Sequence, residues 1–494
     1  MREFTLIFPM IILALTLAMV VVAEITYHGE RTRMVGAITL TGLLAALIQT
    51  LLSFQFAPIE LFDRALSVDG VALFFQVVFI LAAGLSVVAA MLTQEVPEEK
   101  RTEYCALILA SSLAMSLLAG ASDLLMVFLC LQFVNILGLF LAGYGKDSPL
   151  SAEASIKYLM FWSVSSALLL YGMSALFSAA HTLNLHDIQM ALIQHPLGRE
   201  SLVAIFCLFL FALTFQVGSF PMYLWVPDVL EGAPTPVSGF LSFGIRAAGF
   251  SFAIRFLNVV FAQRGKVPGT WEVLGPLEWP QILSWIIGAT LLIGSLLAVR
   301  QTRAKRLVAC LVVTQSGFLL MGLLVLNHVG IAAVFYNLTV EVFSLLGAFF
   351  LLAFLRDQVG SDRLEDLRGA LARAVPECIY LVLFLVCLVG LPPMPGFLGK
   401  FALMGSVVQQ GWTGLALIGV FSQILSAAAV ARFAYYLVGD FRTTIERDGL
   451  SHNREGFRAR QIFLLSLTLP LIIIGVGSQA ILNWAGKALQ TILW

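Results

Sequence analysis

The stretch QVGSFPMYLWVPDVLEGAPTPVSGFLSFGIRAAGF, from Gln216 to Phe250, determines the fold class of this chain. An apolar helix runs into Phe220-Pro221, a short segment rich in glycine and proline follows, and a second apolar helix then begins. A helix broken at membrane depth exposes backbone groups that lipid cannot satisfy, so such breaks survive only inside protein or beside water. Arg246 lies well inside the second helix, and a buried cation beside a break indicates movement of an ion or a proton.

The composition of the 494-residue chain is that of a membrane protein. Hydrophobic residues make up 60% of it and charged residues only 12%, and a soluble protein of this length could not bury so much apolar surface. Its apolar runs have about the 20 residues that cross the hydrocarbon layer, and they predict about fourteen spans. The predicted spans are Phe4–Ala23, Val35–Phe54, Gly70–Leu92, Tyr104–Gly120, Leu124–Ala142, Tyr158–Ala180, Leu202–Phe220, Val237–Phe261, Ile282–Val299, Leu307–Leu326, Ile331–Leu355, Val375–Val407, Leu415–Leu437 and Ile462–Leu482.

Basic residues are concentrated in alternate loops, which the positive-inside rule assigns to the cytoplasm. The residues in these loops are Arg31, Arg33, Lys100, Arg101, Lys146, Lys157, Arg300, Arg303, Lys305, Arg306, Arg356, Arg363, Arg368, Arg373, Arg442, Arg447, Arg454, Arg458 and Arg460. The opposite loops offer only Arg64, Arg199, Arg264, Lys266 and Lys487. An even number of spans then puts both termini outside, in what we expect to be the inner membrane of a bacterial cell.

A second break, GLPPMPGFLGKF from Gly390 to Phe401, interrupts the predicted twelfth span. Its prolines cannot continue a helix, and Lys400 follows just beyond them. Breaks in the seventh and twelfth spans occupy equivalent places if spans four to eight and nine to thirteen are inverted five-helix repeats. The sequence therefore predicts an all-α membrane protein with three N-terminal helices, two such repeats, and a cytoplasmic loop with the last helix. The corresponding ranges are 1–103, 104–261, 262–438 and 439–494.

The chain shows no pattern typical of a cofactor or metal site. Its six cysteines lie in or beside apolar runs and form no C-x-x-C pair. A nucleotide-binding loop and a flavin fingerprint are also missing from the sequence. We therefore expect no cofactor and no metal in this chain, so any redox chemistry must belong to partner subunits.

Five segments of the chain resemble the antiporter-like subunits of respiratory complex I, the NADH:quinone oxidoreductase. They are ASDLLMVFLCLQF (Ala121–Phe133), SAEASIKYL (Ser151–Leu159), VPDVLEGAPTPVSGFLSFGIRAAGF (Val226–Phe250), AKRLVACLVVTQSGFLLMG (Ala304–Gly322) and GLPPMPGFLGKF. The string DVLEGAPTPV favours the subunit N branch over its two larger paralogues. The resemblance implies a translocase subunit of the membrane arm that couples quinone reduction to proton translocation. It also implies that quinone, flavin and iron–sulfur clusters bind to partner subunits of the assembly.

The resemblance further implies a line of buried ionisable residues that relays protons, and this chain departs from that line. Gln132 stands where the family has a glutamate in the fifth span, and Gln216 where it has a lysine in the seventh. Arg246 replaces an eighth-span lysine, and Gln315 replaces a tenth-span histidine. Only the twelfth-span lysine is kept, as Lys400.

The replacements at Gln132 and Gln216 form a physically consistent pair. Loss of one charged partner alone would leave the other unmatched, at a cost of about 3–5 kcal/mol, whereas two amides can hydrogen-bond to each other. Glutamine carries no titrating proton, and an arginine such as Arg246 barely releases its own. An unexpected Glu341 in the eleventh span could restore, together with Lys400, what the first half lacks. Arg246 would then neutralise Glu341, bind carbonyls at a break or set the local field.

The sequence leaves three hypotheses open. A rewired proton path through Lys400 and Glu341 is favoured by those two ionisable residues. A structural subunit that no longer pumps is favoured by the neutral Gln132 and Gln216, because most intramembrane polar residues only join helices. A cation/proton antiporter subunit outside a redox complex is weakened by the EGAPTPV string. Under the simplest interpretation, Asp228 and Glu231 cap the half-helix after the first break.

The basic-residue pattern generates the first prediction. We expect the loops Arg300–Arg306 and Arg356–Arg373 to be cytoplasmic, because arginine-rich loops stay on that side. Single cysteines introduced there should react with a membrane-impermeant maleimide only in vesicles that expose the inner face. Cysteines introduced beside Arg199 serve as the opposite control. Labelling of the arginine-rich loops in intact cells would overturn the orientation.

Overall fold

The computed structural model describes residues 2–26, 31–55, 57–146, 148–265, 270–372, 374–439 and 454–490. Within these ranges, thirteen helical segments are long and apolar enough to cross a membrane. The other predicted crossing, Val375–Val407, consists of two shorter helices on either side of the second break. The prediction of an all-α membrane protein with about fourteen spans is therefore confirmed. Both chain ends and four residues used to predict orientation lie outside the described residues, namely Lys266, Arg373, Arg442 and Arg447.

The chain begins with three helices and a hairpin. The helices are α1 (Arg2–Thr26), α2 (Arg31–Ser53) and α3 (Gly70–Leu92). The antiparallel strands β1 (Ile59–Leu61) and β2 (Leu66–Val68) join α2 to α3. The side chain of Asp69 accepts a hydrogen bond from the N–H of Ala72 at 2.9 Å, and this contact caps the start of α3.

Seven helices follow, and two of them are parts of the broken seventh span. They are α4 (Arg101–Gly120), α5 (Leu124–Ala142), α6 (Pro149–Ala180), α7 (Leu185–Gln194), α8 (Arg199–Val217), α9 (Trp225–Gly232) and α10 (Thr235–Val260). The predicted start of the sixth span at Tyr158 is too late. The helix begins at Pro149, because proline suits the first helical position, where its missing N–H leaves no partner unsatisfied.

The second part of the chain also consists of long helices with one break. Its elements are β3 (Ala262–Arg264), β4 (Trp271–Val273), α11 (Trp279–Arg300), α12 (Ala304–Leu324), α13 (His328–Val359), α14 (Val375–Val389), α15 (Pro395–Gln409), α16 (Thr413–Val438), α17 (Arg454–Val476) and α18 (Ser478–Gln490). The last predicted span, Ile462–Leu482, is not one helix, since Gly477 separates α17 from α18. Residues 440–453 of the predicted cytoplasmic loop lie outside the described ranges.

Three helices form the centre of the bundle and are hidden from lipid. Every residue in the apolar stretches of α10 and α12 is buried, and 94% are buried in α13, against 28% in α6. These helices carry Arg246, Gln315 and Glu341. Three of the candidate residues therefore lie in the protein interior, where water or other side chains must satisfy them.

The helix before each break ends with the same backbone cap. Gly218 ends α8 with φ +68°, and Gly390 ends α14 with φ +78°. The N–H of the next residue donates to the carbonyl five residues earlier, at 2.9 Å in the first break and 3.2 Å in the second. This is a Schellman cap, which needs a residue that tolerates positive φ. A proline stands three residues after each glycine, Pro221 and Pro393. The matching caps favour equivalent breaks, and the assignment of inverted repeats stays a prediction.

The close packing of α15 on α14 generates the second prediction. A Cβ atom at Gly396 would overlap the carbonyl oxygen of Cys387, and backbone cannot move aside as a flexible side chain can. We expect Gly396→Ala to lower the free energy of unfolding by about 1–3 kcal/mol. Gly405→Ala on the same helix is the control, because a Cβ atom at Gly405 meets nothing within 4 Å. Thermal unfolding in detergent measures both variants, and equal stability would contradict this packing.

Candidate functional site

A buried ion pair joins the three central helices. Nη2 of Arg246 on α10 donates to Oε2 of Glu341 on α13, and each residue is only 3% exposed. Nη1 of Arg246 donates to the carbonyl of Val312 on α12 at 3.3 Å. Each charge offsets the desolvation of the other, so neither could be removed alone without a large cost. The structure thus pairs Arg246 with Glu341, one of the roles considered for this arginine from the sequence.

Lys400 is equally buried but has a different kind of partner. Its Nζ donates to the carbonyl of Val389 at 2.8 Å and lies 4.4 Å from the centre of the Phe318 ring. Among the described residues, no carboxylate oxygen lies within 4.0 Å of this ammonium group. Val389 is the last residue of α14, where the helix dipole and unpaired carbonyls favour a cation. The lysine charge is therefore stabilised by backbone and an aromatic face.

The free carbonyls of the second break are bonded by side chains from three helices. Nε2 of Gln315 on α12 donates to the carbonyl of Leu388 at 2.6 Å. Nε2 of Gln423 on α16 donates to Val389 at 3.3 Å and also to Gly390. Lys400 adds the third donor. Gln315 and Lys400 thus meet at one site. Gln423 was missed from the sequence, and an amide side chain inside an apolar span was the available signal.

The two glutamines of the first half do not hydrogen-bond to each other, so that interpretation of the sequence was wrong. Gln132 donates to Ser166 Oγ at 2.6 Å and accepts from Trp162 Nε1 at 2.9 Å. Gln216 donates to the carbonyl of Ile245 at 3.5 Å, at the limit of a hydrogen bond. Both line one cavity of about 10 Å³, which has room for about one water molecule. They are neighbours across this space, each bonded elsewhere.

The sequence suggested that the acidic residues after the first break cap a helix, and the structure shows that they do not. Asp228 and Glu231 on α9 instead meet basic residues of α12 and of the turn before it. Arg306 lies 2.9 Å from Asp228 and 2.5 Å from Glu231, and Arg303 lies 2.7 Å from Glu231. Lys157 on α6 adds a contact of 2.7 Å with Asp228. The spacing of three residues on both sides was the signal that could have predicted this pairing.

A second buried ion pair lies near the start of α3 and was missed from the sequence. Nη2 of Arg255 on α10 is 3.0 Å from Oδ1 of Asp69, with exposures of 6% and 0%. Arg255 also donates to the carbonyl of Ala119 through Nε at 3.2 Å and Nη2 at 3.0 Å. Arg255 stands on the same apolar helix as Arg246, and that position was the available signal.

The chain is similar in sequence to membrane subunits of quinone oxidoreductases. A family model described as NADH:quinone oxidoreductase/Mrp antiporter, TM, matches residues 121–426. NADH-quinone oxidoreductase subunit N of Chlorobium chlorochromatii is 32% identical over 480 residues, which cover 95% of this chain and 91% of that protein. NAD(P)H-quinone oxidoreductase subunit 2 of Synechococcus sp. is 34% identical over 498 residues, covering 98% and 91%.

Solved structures show the same fold over nearly the whole chain. A subunit of respiratory complex I from Thermus thermophilus with bound aureothin superposes with a TM-score of 0.77 at 24% identity, covering 97% of this chain and 99% of that one. A chain of the archaeal membrane-bound sulfane sulfur reductase gives 0.84 at 20% identity, covering 99% and 97%. A chain of the Mrp complex from Dietzia sp. gives 0.83 at 19% identity, covering 99% and 96%.

The central ion pair generates the third prediction. We expect Arg246→Gln to destabilise the protein by about 3–5 kcal/mol, because it leaves the carboxylate of Glu341 buried without a partner. The double variant R246Q/E341Q should recover much of this loss, since no charge is left unmatched. Thermal unfolding in detergent measures the cycle. Arg64→Gln removes an exposed pair with Glu60 and should change stability little. Additive effects of the two central substitutions would contradict the coupling.

Proposed function

Because this chain belongs to the antiporter-like membrane subunit family of NADH:quinone oxidoreductases and Mrp antiporters, we propose that it is the subunit N-type member of a complex I-like membrane arm. Its role there is to couple quinone reduction to proton translocation. The relatives that carry the subunit N and subunit 2 names match it over almost their full length, which supports this assignment. Flavin, iron–sulfur clusters and quinone belong to the partner subunits, and this chain contributes the translocase part alone.

The observation that carries the proposal is the setting of Lys400. Its ammonium group is bonded to a carbonyl and an aromatic ring, so it can lose a proton without leaving a bonded carboxylate unmatched. An ammonium group that is desolvated in this way can serve in proton exchange, whereas a guanidinium cannot. Lys400 is thus the group of this site that we assign to proton loading and release.

Glu341 is the second exchanging group in this proposal. Asn337, one turn before Glu341 on α13, lies so close to Gly399 that a Cβ atom there would come within 2.6 Å of its amide. This contact holds α13 against α15 next to Lys400, which supports transfer between the two groups through a short water chain. Arg246 keeps its charge throughout and stabilises Glu341 whenever the carboxylate is ionised. When Glu341 is protonated, the carbonyl of Val312 still accepts from Arg246, which limits the cost of the unmatched cation. Gln315 has no proton to relay, and its role is to bond the break.

We propose that the first half no longer carries its own relay. Gln132 is engaged by Trp162 and Ser166, and Gln216 bonds only a carbonyl, so no group at these positions can accept a proton. The same observation favours the second candidate function, a structural subunit of the complex that does not pump. An antiporter subunit outside a redox complex stays a third alternative, and the Mrp similarity supports only the fold.

The subunit is proposed to sit in the inner membrane of a bacterial cell with both termini outside. The cluster of Asp228, Glu231, Arg303 and Arg306 then lies at the cytoplasmic end of the bundle. The pair of Arg255 and Asp69 lies at the opposite, outer end.

The setting of Lys400 generates the fourth prediction. We expect Lys400→Ala to lower the number of protons moved per electron pair while quinone reduction continues, because the loading group is gone. Glu341→Gln should act in the same direction. Lys400→Arg is the matched control for charge, since it keeps a cation at the break but exchanges no proton. Acidification of vesicles that contain the intact complex, measured against quinone reduction, gives the ratio. An unchanged ratio in both Lys400→Ala and Glu341→Gln would contradict the proposed proton path and support a structural subunit that does not pump.

A further inference from the structure

Polar atoms without partners accumulate where α3, α4 and α10 pack together. Gln76 on α3 and Ser116 on α4 are both 0% exposed, and neither the amide nor the hydroxyl has a hydrogen-bond partner among the described residues. Oδ2 of Asp69 and Nε of Arg246 are also buried without partners. Buried polar groups in proteins are nearly always hydrogen-bonded, and ordered water supplies the bond where protein does not.

Contacts along the helices put Gln76 at the depth of the central ion pair. Ser86 on α3 donates to the carbonyl of Pro236 on α10 at 3.4 Å, so these residues lie at one level. Gln76 is ten residues from Ser86 (86 − 76), and Arg246 is ten residues from Pro236 (246 − 236). The helices rise equally per residue and run antiparallel, as the Asp69–Arg255 contact near the other end confirms. Gln76 and Arg246 therefore lie at the same depth.

Ser116 belongs to the same level. A Cβ atom at Gly244 on α10 would lie 3.4 Å from the sulfur of Met115, the neighbour of Ser116. Farther along, the Ala119 carbonyl of α4 receives the guanidinium of Arg255. Ser116 lies between these two contacts, so it is at about the depth of Gln76.

Further polar groups lie between this level and the predicted outer side. Asp69 lies seven residues from Gln76, about two turns, so the two side chains share one face of α3 about 10 Å apart. Asp69 binds Arg255, which in turn lines an open cavity of about 250 Å³. The cavity is also lined by Ser67, Ser122 and His186. Polar groups thus extend from the middle of the bundle to its outer surface.

We propose that Gln76 and Ser116 hold a chain of internal water molecules that forms the outward leg of the proton path. The leg begins beside Arg246 and Glu341, passes Gln76 and Ser116, and opens past Asp69 and Arg255 into the outer cavity. It rests on the proposed proton-translocating function. Arg246 and Arg255 are nine residues apart on α10, which is two and a half turns, so their side chains lie on opposite faces of the helix. The water must therefore pass around this helix on the side of Ala247 and Ala248, which carry small side chains. The side of Gly249 is closed, because Gln216 and Val217 of α8 pack against it.

The proton transfer is balanced without any further reactant. The Glu341 carboxyl gives its proton to the adjacent water and becomes the carboxylate that Arg246 stabilises. The proton moves along hydrogen-bonded water, which Gln76 and Ser116 orient without ionising. The proton passes the pair of Asp69 and Arg255 along this water and is released into the outer cavity. Lys400 then returns a proton to Glu341 and takes up another from the cytoplasmic side, which restores the first state.

The experiment compares substitutions in the intact complex. Gln76→Leu and Ser116→Ala remove the groups that hold water, and both should lower the protons moved per electron pair by about as much as Lys400→Ala. Ser112→Ala is the matched control, because Ser112 is also 0% exposed, lies one turn away, and already bonds the carbonyl of Ile108 at 3.0 Å. Its ratio should equal that of the parent.

A measurement of hydration is made alongside the transport assay. Hydroxyl-radical labelling by pulsed radiolysis should oxidise the native Met115 in the parent, since internal water carries the radical to its neighbours, and oxidise it less in Gln76→Leu. If Lys400→Ala lowers the ratio while Gln76→Leu and Ser116→Ala do not, the proposed function stands and the outward leg is wrong. If Lys400→Ala leaves the ratio unchanged, the proposed function fails. Absence of label on Met115 overturns the water chain by itself.

Discussion

The bundle depends on one constraint, which is that lipid offers no hydrogen bonds to a broken helix. Breaking the twelfth span at Gly390 frees the carbonyls at the end of α14, and donors from α12, α15 and α16 converge on them. Two of those donors are the amides of Gln315 and Gln423, and the third is the ammonium group of Lys400. A lysine can thus lie at the centre of a membrane protein without a carboxylate beside it. The break and the buried cation have a single physical explanation.

The distribution of charge follows from the same constraint. Where the protein keeps ionised groups, they are matched by an opposite charge, as in the pair of Arg246 and Glu341, or by backbone dipoles, as at Lys400. At Gln132 and Gln216 both side chains are neutral, and the space between them admits about one water molecule. The fifth and seventh spans therefore carry no charge at their centres, and the ionisable groups lie on α10, α13 and α15. This asymmetry distinguishes the chain from a pair of equivalent relays.

The sequence predicted the spans, the two breaks and the burial of Arg246, Lys400 and Glu341, because apolar length and proline position act locally along the chain. Partner choice was harder to predict. The acidic residues of α9 form ion pairs with Arg303 and Arg306, and Asp69 forms one with Arg255. The rotation and relative depth of the helices decide which of these side chains meet. Apolar runs that are hydrophobic all round give no information on rotation. The matched spacing of Asp228 with Glu231 and of Arg303 with Arg306 was an exception, because it marks one face on each segment.

The cavity shared by Gln132 and Gln216 has an evolutionary consequence. In the genetic code, one nucleotide separates glutamine from glutamate and likewise from lysine, so a charge at either position is a single mutation away. Either mutation alone would bury an unmatched ion at a cost of about 3–5 kcal/mol, which selection would remove before the second could arise. The neutral pair therefore persists because each charged substitution alone is destabilising, although each needs only one mutation. A lineage with this neutral pair would be expected to keep it and to place ionisable groups elsewhere in the chain.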